Sequence, residues 1–165
     1  MTFTIKREEQ TEFKTIYNFV KEAFETAAVS DGKEQDFVDM LRASENYIPE
    51  LALIAMDEEQ IIGHIMLTKF AFNVMLLLAP LTVKLDYRNQ GVGTKLIQKS
   101  FELAKEMNYT SVVLVGDPGY YGRFGFKPSI EFGIICTNDI PSQYVQAIEL
   151  QEGALDLINN GTISF

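Results

Sequence analysis

The chain has 165 residues, 47% of them hydrophobic, and a formal charge of -9. That suits one soluble domain with a single core, and the charge argues against general nucleic-acid binding. One cysteine excludes an internal disulfide and a thiolate zinc cage.

The longest apolar run, Val74 to Val83, is too short to span a membrane and contains Pro80. The opening Met1-Thr2-Phe3-Thr4-Ile5-Lys6-Arg7 lacks the basic-then-apolar layout of a leader, so a cytoplasmic protein is expected. Residues 1–60 carry a net charge of -8, residues 61–127 of +4 and residues 128–165 of -5. The one positive segment is central, where an anionic ligand would find it, although uneven surface charge alone explains the pattern equally well.

In chain order, Thr4 to Lys6 reads as a short strand. Glu8 to Thr26 follows as a helix, with Phe13, Ile16, Tyr17, Val20, Phe24 and Ala27 at helical spacing. Val29-Ser30-Asp31-Gly32 punctuates it. A second helix fits Gln35 to Ser44, with Phe37, Met40 and Leu41 inward. The period then changes. Leu51 to Met56 and Ile61 to Thr68 are strands around the polar turn Asp57-Glu58-Glu59-Gln60, an antiparallel hairpin.

Met75 to Val83 reads as a buried central strand. Pro80 within it lacks an N–H donor and marks a bulge or a place where the neighbouring strand has moved away. A polar loop, Lys84 to Gln90, leads into an amphipathic helix, Thr94 to Met107, with Leu96, Ile97, Phe101, Ala104 and Met107 on one side and Asn108 as a left-handed cap. Ser111 to Val115 is another buried strand, so strand, helix and strand form a right-handed parallel crossover. The tail mixes strand-like runs with a helix near Glu152 to Asn159. The expected fold is a single α/β (α+β three-layer) domain over residues 1–165, with an antiparallel hairpin leading to splayed parallel strands in a mixed central sheet.

Arg88-Asn89-Gln90-Gly91-Val92-Gly93-Thr94 sits between a buried strand and a helix. The first turn of a helix has free N–H groups and partial positive charge, and glycines let a phosphate approach them. Arg88 adds a fixed charge, and Lys84, Lys95 and Lys99 add to the field. A plain tight turn explains Gly-x-Gly as well. An ATPase phosphate loop is ruled out by the order Gly93-Thr94-Lys95, and a dinucleotide fingerprint lacks its third glycine because residue 96 is Leu96.

The stretch from Leu81-Thr82-Val83 through Gly93 resembles the main acyl-CoA signature of the GNAT superfamily, and Tyr121-Gly122-Arg123-Phe124-Gly125-Phe126 resembles its Tyr-x-x-x-Gly-Phe element. The order of elements over residues 3–128 is similar too. The run from Gly116 through Phe126 resembles a subgroup of small bacterial N-acetyltransferases with a Tyr-Tyr-x-Arg-Phe-Gly-Phe ending. The resemblance implies a GNAT-like acyl-CoA N-acyltransferase fold and transfer of acetyl from acetyl-CoA to an amine, without a metal. It implies main-chain pairing of Leu81 and Val83 with the pantetheine arm. Pyrophosphate would be held by the amides of Gly91, Val92, Gly93 and Thr94, with Arg88 and Asn89 at its edge. Tyr121 would be the general acid for the leaving thiolate.

Where many relatives place an asparagine, Asp117-Pro118-Gly119 departs from the pattern. His64 reads as a strand histidine bonded to the backbone, or as a proton acceptor. Glu50 is a weaker base candidate, and Cys136 reads as a small buried hydrophobe rather than as a nucleophile that forms an acetyl-enzyme. The acidic flanks would attract a cationic amine. No nucleic-acid or membrane partner is expected, and a homodimer is compatible with this reading. An acyl-CoA-binding sensor and a nucleotide-binding α/β domain stand as rival readings.

Overall fold

A computed structural model of the protein describes residues 1–27, 30–158 and 161–165. The elements in order are β1 (Thr4–Arg7), α1 (Phe13–Phe24), α2 (Glu34–Arg42), β2 (Ala52–Asp57), β3 (Gln60–Ala71), β4 (Met75–Val83), α3 (Val92–Glu106), β5 (Ser111–Val115), α4 (Pro118–Tyr121), β6 (Lys127–Pro128), β7 (Ile135–Cys136), β8 (Val145–Glu149) and β9 (Thr162–Ile163). Strands pair in the order β1-β2-β3-β4-β5-β8-β6, and β7 pairs with β9. The expected mixed sheet is present. Contacts divide into two compact units: Met1–Thr68 with Ala79–Leu103, and Lys69–Leu78 with Ala104–Phe165. Among the described residues no helix is long and apolar enough to cross a membrane.

In the first unit, β1, β2 and β3 form an antiparallel set in which Leu53 faces Ile65 and Ile54 faces His64. The turn between β2 and β3 is only Glu58 and Glu59, with Glu58 left-handed at φ 54°. One sheet face packs Ile54, Ile61 and Met66 against Ile16 and Val20 of α1 and Val38 and Leu41 of α2. On α3, Val92 and Leu96 lie over Gly63. A Cβ there would stand 2.8 Å from the Leu96 Cδ1 and 2.9 Å from the Val92 Cγ1, so glycine lets the helix close on the strand.

Helix α1 starts later than expected, after a 3-10 turn at Gln10–Glu12. The Glu8 N–H prolongs the β1–β2 ladder to the Ala52 carbonyl at 2.9 Å, which turns the Glu8 side chain inward. It lies among Arg42, Tyr47 and His64. The Arg42 Nε stands 2.5 Å from Glu8 Oε2 and its Nη2 3.1 Å from Oε1, Tyr47 donates its hydroxyl at 3.2 Å, and the His64 Nε2 stands 2.8 Å from Oε1. His64 is therefore bonded to a carboxylate rather than to the backbone. The residue that decides this lies 56 positions away and carries no local signal.

This cluster also explains the orientation of α2. Its buried positions are Gln35, Val38 and Leu41, with Arg42 turned toward Glu8. Phe37 and Met40, expected inward, are 39% and 57% exposed. The face that buries Val38 and Leu41 also brings Arg42 to the Glu8 carboxylate, and breaking such a buried pair would be costly. Part of the expected punctuation before α2, Val29, lies outside the described residues.

In the second unit, β4 pairs parallel with β5 at Met75–Leu77 against Ser111–Val113. β8 runs antiparallel to β5 over five pairs, and β6 pairs with β8. Phe72 and Asn73, both left-handed, form the tight turn between β3 and β4. Met75, Val113, Ile134, Val145, Leu155 and Ile163 form this unit's core. Asn108 caps the end of α3 with φ 67°, as expected, while Met107 is exposed because it follows the last helical turn. The tail helix expected near Glu152 to Asn159 is a 3-10 turn at Ala154–Ile158, and Asn159 lies outside the described residues.

Burial would raise the Glu8 carboxyl, but hydrogen bonds from His64 and Arg42 outweigh it and bring the pKa down to about 2. A carboxyl lowered on folding stabilises the protein above its unfolded value, and that contribution is lost as pH falls from 4.5 toward about 2. Glu8→Gln leaves Arg42 buried without its counter-charge. It should cost about 3 kcal/mol and lower Tm by roughly 10 °C at pH 7. The gap between variant and wild type should narrow on acidification. Thermal unfolding from pH 7 to pH 3 checks both expectations.

Candidate active site

Strand β4 has two edges with different partners. Lys84, just beyond its end, donates its N–H to the Ile62 carbonyl of β3 at 2.9 Å. Main-chain groups alternate from edge to edge along a strand. Thr82 therefore turns its N–H and C=O toward β3, and Leu81 and Val83 turn theirs to the opposite edge. The registered ladder on that edge covers only Met75–Leu77. Leu81 and Val83 lie beyond it and are half-buried.

The carbonyl of Val83 accepts from Arg88 Nε at 3.1 Å, and Arg88 Nη2 donates to the Ala23 carbonyl at 3.2 Å. Arg88 thus joins β4 to the last turn of α1, where a cation also meets the negative end of the helix. Two of its nitrogens are engaged by main-chain oxygens.

The chain reverses through Asn89 (φ 61°) and Gly91 (φ 87°), both left-handed. A Cβ at Gly91 would meet nothing within 4 Å, so backbone conformation rather than crowding calls for glycine. Lys95 donates to the Gly91 carbonyl at 3.0 Å, the first helical bond of α3. The N–H groups of Gly91, Val92, Gly93 and Thr94 precede that bond and have no intrahelical acceptor. The structure thus brings together the expected residues from Leu81 to Thr94: an unladdered strand edge, then four free amides at the positive end of a 15-residue helix. Lys95 and Lys99 are exposed on the same helix, and Lys99 has Glu102 at 3.6 Å.

Tyr121 belongs to the second unit. Asp117 caps α4 by accepting from the Gly119 N–H at 2.9 Å, which explains how Asp-Pro-Gly makes so short a helix. Gly125, left-handed at φ 100°, ends the turn that follows. Tyr121 packs edge-on to Tyr120, at 4.9 Å between centroids, and to Phe126 at 5.8 Å. A Cβ at Gly116 would stand 2.6 Å from the Tyr121 Cε2, so the ring lies on the bare backbone of that glycine. Burial, then Tyr120 and Asp117, raise the Tyr121 hydroxyl above the usual phenol range. Gly116 was not singled out in the sequence, although a glycine straight after a buried strand is a signal of close approach.

Cys136 is half-buried against the second core, with its Sγ 3.5 Å from Asn138 Oδ1, which accords with a packing role. In the first unit a basin of about 940 Å³ is lined in part by Glu22, Glu25, Asp57, Glu58, Glu59 and Asp86, with Lys84 as a cation. Among the described residues no group of three His, Cys, Asp or Glu is placed to hold a metal ion.

Residues 4–129 match the family model of the acetyltransferase (GNAT) domain. The chain belongs to the GNAT acetyltransferase family. It is 37% identical over 110 residues to the uncharacterized N-acetyltransferase YjhQ of Escherichia coli K12, covering 63% of this chain and 61% of that protein. It is 32% identical over 111 residues to the uncharacterized N-acetyltransferase YhbS of the same strain, covering 64% of this chain and 66% of that one. The matches therefore span somewhat under two thirds of these curated relatives. The crystal structure of Escherichia coli YhbS in complex with CoA superposes with a TM-score of 0.88 at 26% identity, over 99% of this chain and 89% of that one. A GNAT family acetyltransferase from Brucella melitensis in complex with acetyl-CoA gives 0.75 at 28% identity, over 91% and 89%.

Within this GNAT domain Gly116 is the support of Tyr121. Gly116→Ala should displace the ring and lower acetyl transfer by about tenfold or more. Affinity for acetyl-CoA should stay within about twofold. Steady-state turnover and calorimetry on the same preparation separate the two effects.

Proposed function

We propose that residues 1–165 act as one N-acetyltransferase domain that passes the acetyl group of acetyl-CoA directly to the amine of a small molecule or a peptide. The observation that carries this reading is the run of free main-chain donors, Gly91 to Thr94, beside the unladdered edge of Leu81 and Val83. Such donors suit a pyrophosphate, and such an edge suits the amide-bearing pantetheine arm. The CoA and acetyl-CoA held by the similar YhbS and Brucella proteins support the same ligand. Asn89 and Arg88 stand at the edge of the pyrophosphate, with Arg88 mainly bracing β4.

Tyr121 is the proposed catalytic residue. Attack by a neutral amine on the thioester carbonyl expels a thiolate, which must gain a proton. A thiol has a pKa of about 8.5 and a phenol of about 10. A tyrosine raised further by burial stays protonated throughout the neutral range and can donate to the departing sulfur. Its hydroxyl makes no protein hydrogen bond among the described residues, which suits a group reserved for the reaction. The acidic basin of the first unit favours a cationic acceptor. A cytoplasmic location and a homodimer complete the proposal.

Tyr121→Phe should lower kcat by about tenfold or more and leave acetyl-CoA affinity unchanged. Thiol release with an amine library, paired with calorimetry, measures both. Unchanged turnover removes Tyr121 from the reaction, and an absence of heat with acetyl-CoA removes the reading as a whole.

A further inference from the structure

The Gly116 carbonyl lies where the ladder between β5 and β8 runs out. Registered pairs join the two strands from Ser111 and Glu149 to Val115 and Val145. One step further, Gly116 donates its N–H to the Tyr144 carbonyl at 2.9 Å, so these two residues form a hydrogen-bonded pair. Such a pair ordinarily exchanges both of its N–H···O bonds. Here Tyr144 gives its N–H to the Pro141 carbonyl at 3.0 Å instead, and the Gly116 carbonyl loses its ladder donor.

A side chain takes that donor's place. Gln146 Nε2 donates to the Gly116 carbonyl at 2.9 Å. A carbonyl only accepts, so the NH2 of the Gln146 amide is the group that faces it. Gln146 lies on β8 opposite Leu114 and is only 1% exposed. Burying an amide is costly unless it is bonded, and the bond to Gly116 offsets that cost.

Both attachments of Tyr121 lead back to the peptide that this bond fixes. The Gly116 carbonyl and the Asp117 N–H belong to one planar unit. Asp117 caps α4, and its carbonyl accepts from the Tyr121 N–H at 3.0 Å. The backbone of Tyr121 therefore hangs from the residue on one side of that plane. Its ring rests on the residue on the other side, since a Cβ at Gly116 would stand 2.6 Å from the Tyr121 Cε2 and 3.0 Å from its Cδ2. Turning the plane would move ring and backbone together.

We propose that Gln146 is a positioning residue for acetyl transfer, holding the Gly116 peptide so that the Tyr121 hydroxyl meets the leaving sulfur. Gln146 acts through Gly116 and exchanges no proton with the reactants. This rests on the acid role of Tyr121 proposed above. A general acid must come within about 3 Å of the atom it protonates, so a displacement of about 1 Å slows the step.

Gln146→Met keeps the length of the side chain and removes the donor. Thiol release is followed with phenethylamine, spermidine or an alanyl peptide, whichever the wild type acetylates fastest. In Gln146→Met, kcat should fall about tenfold and KM for acetyl-CoA should stay within about twofold. In a Tyr121→Phe background the same change should lower kcat by less than about twofold, because the residue it positions has already lost its hydroxyl. Equal losses in both backgrounds, or no loss in the wild-type background, overturn the proposal. Gln146→Leu takes the place of Gln146→Met if the latter does not fold.

NMR reads the same link without an acceptor. The wild type should show a cross-relaxation peak between the Tyr121 ring and the Gly116 Hα protons, weakened severalfold in Gln146→Met. Peaks across the pair Val113 and Ala147 should persist, which shows the sheet intact. In the wild type the Gln146 side-chain N–H should exchange with solvent about tenfold or more slower than that of the exposed Gln98. An undiminished Tyr121–Gly116 peak, or a Gln146 amide that exchanges as fast as Gln98, overturns the proposal. Failure of the wild type to release thiol with any of the three amines would overturn the acetyl-transfer reading, and this proposal with it, while leaving the NMR results as they are.

Discussion

The structure turns on main-chain groups that the protein does not pair with itself. A folded chain pairs nearly all of its buried N–H and C=O groups. Here, among the described residues, the main-chain groups of Leu81 and the N–H of Val83 on the outer edge of β4, and the first turn of α3 at Gly91 to Thr94, are left over, one directly after the other in the chain. These groups recognise geometry and charge rather than a particular side chain, so they suit a long, anionic, amide-bearing coenzyme. A net negative protein can still attract an anion locally, because the field at a helix terminus, not the sum over the surface, governs the first few ångströms around it.

Keeping those groups in place falls to devices that are themselves buried or strained. Gly63 brings α3 onto the sheet, and Arg88 fastens the end of β4 to the end of α1. Left-handed Asn89 and Gly91 turn the chain so that the helix begins where the strand edge stops. The Glu8 carboxylate does comparable work deeper in the first unit, where Arg42, Tyr47 and His64 converge on it from α2, the loop before β2, and β3. A buried carboxylate with several partners contributes specificity of arrangement more than net stability. Here it determines which face of α2 turns inward.

The pattern of apolar residues made most elements legible. Met75–Val83 and Ser111–Val115 are strands with the expected bounds, and the glycine loop opens α3 as its position between strand and helix implied. The strand edge and the helix terminus that carry the proposed coenzyme residues were legible too, because both are local features of the chain. Less was legible where long-range charge intervened. The inward face of α2 was misjudged because apolar spacing says nothing of a distant carboxylate, and the start of α1 moved because Glu8 continues the β1 ladder before turning in.

Taken alone, the amino-acid order determined the succession of elements, the placement of the glycine loop between strand and helix and the family to which the chain is similar, because these depend on periodicities of a few residues and on glycine and proline geometry. Only the tertiary structure decided the partner of His64, the support of Tyr121 by Gly116, and the attachment of Arg88 to main-chain oxygens. Each of these joins groups through sheet register or a close packing distance, and neither quantity exists until separate segments have met.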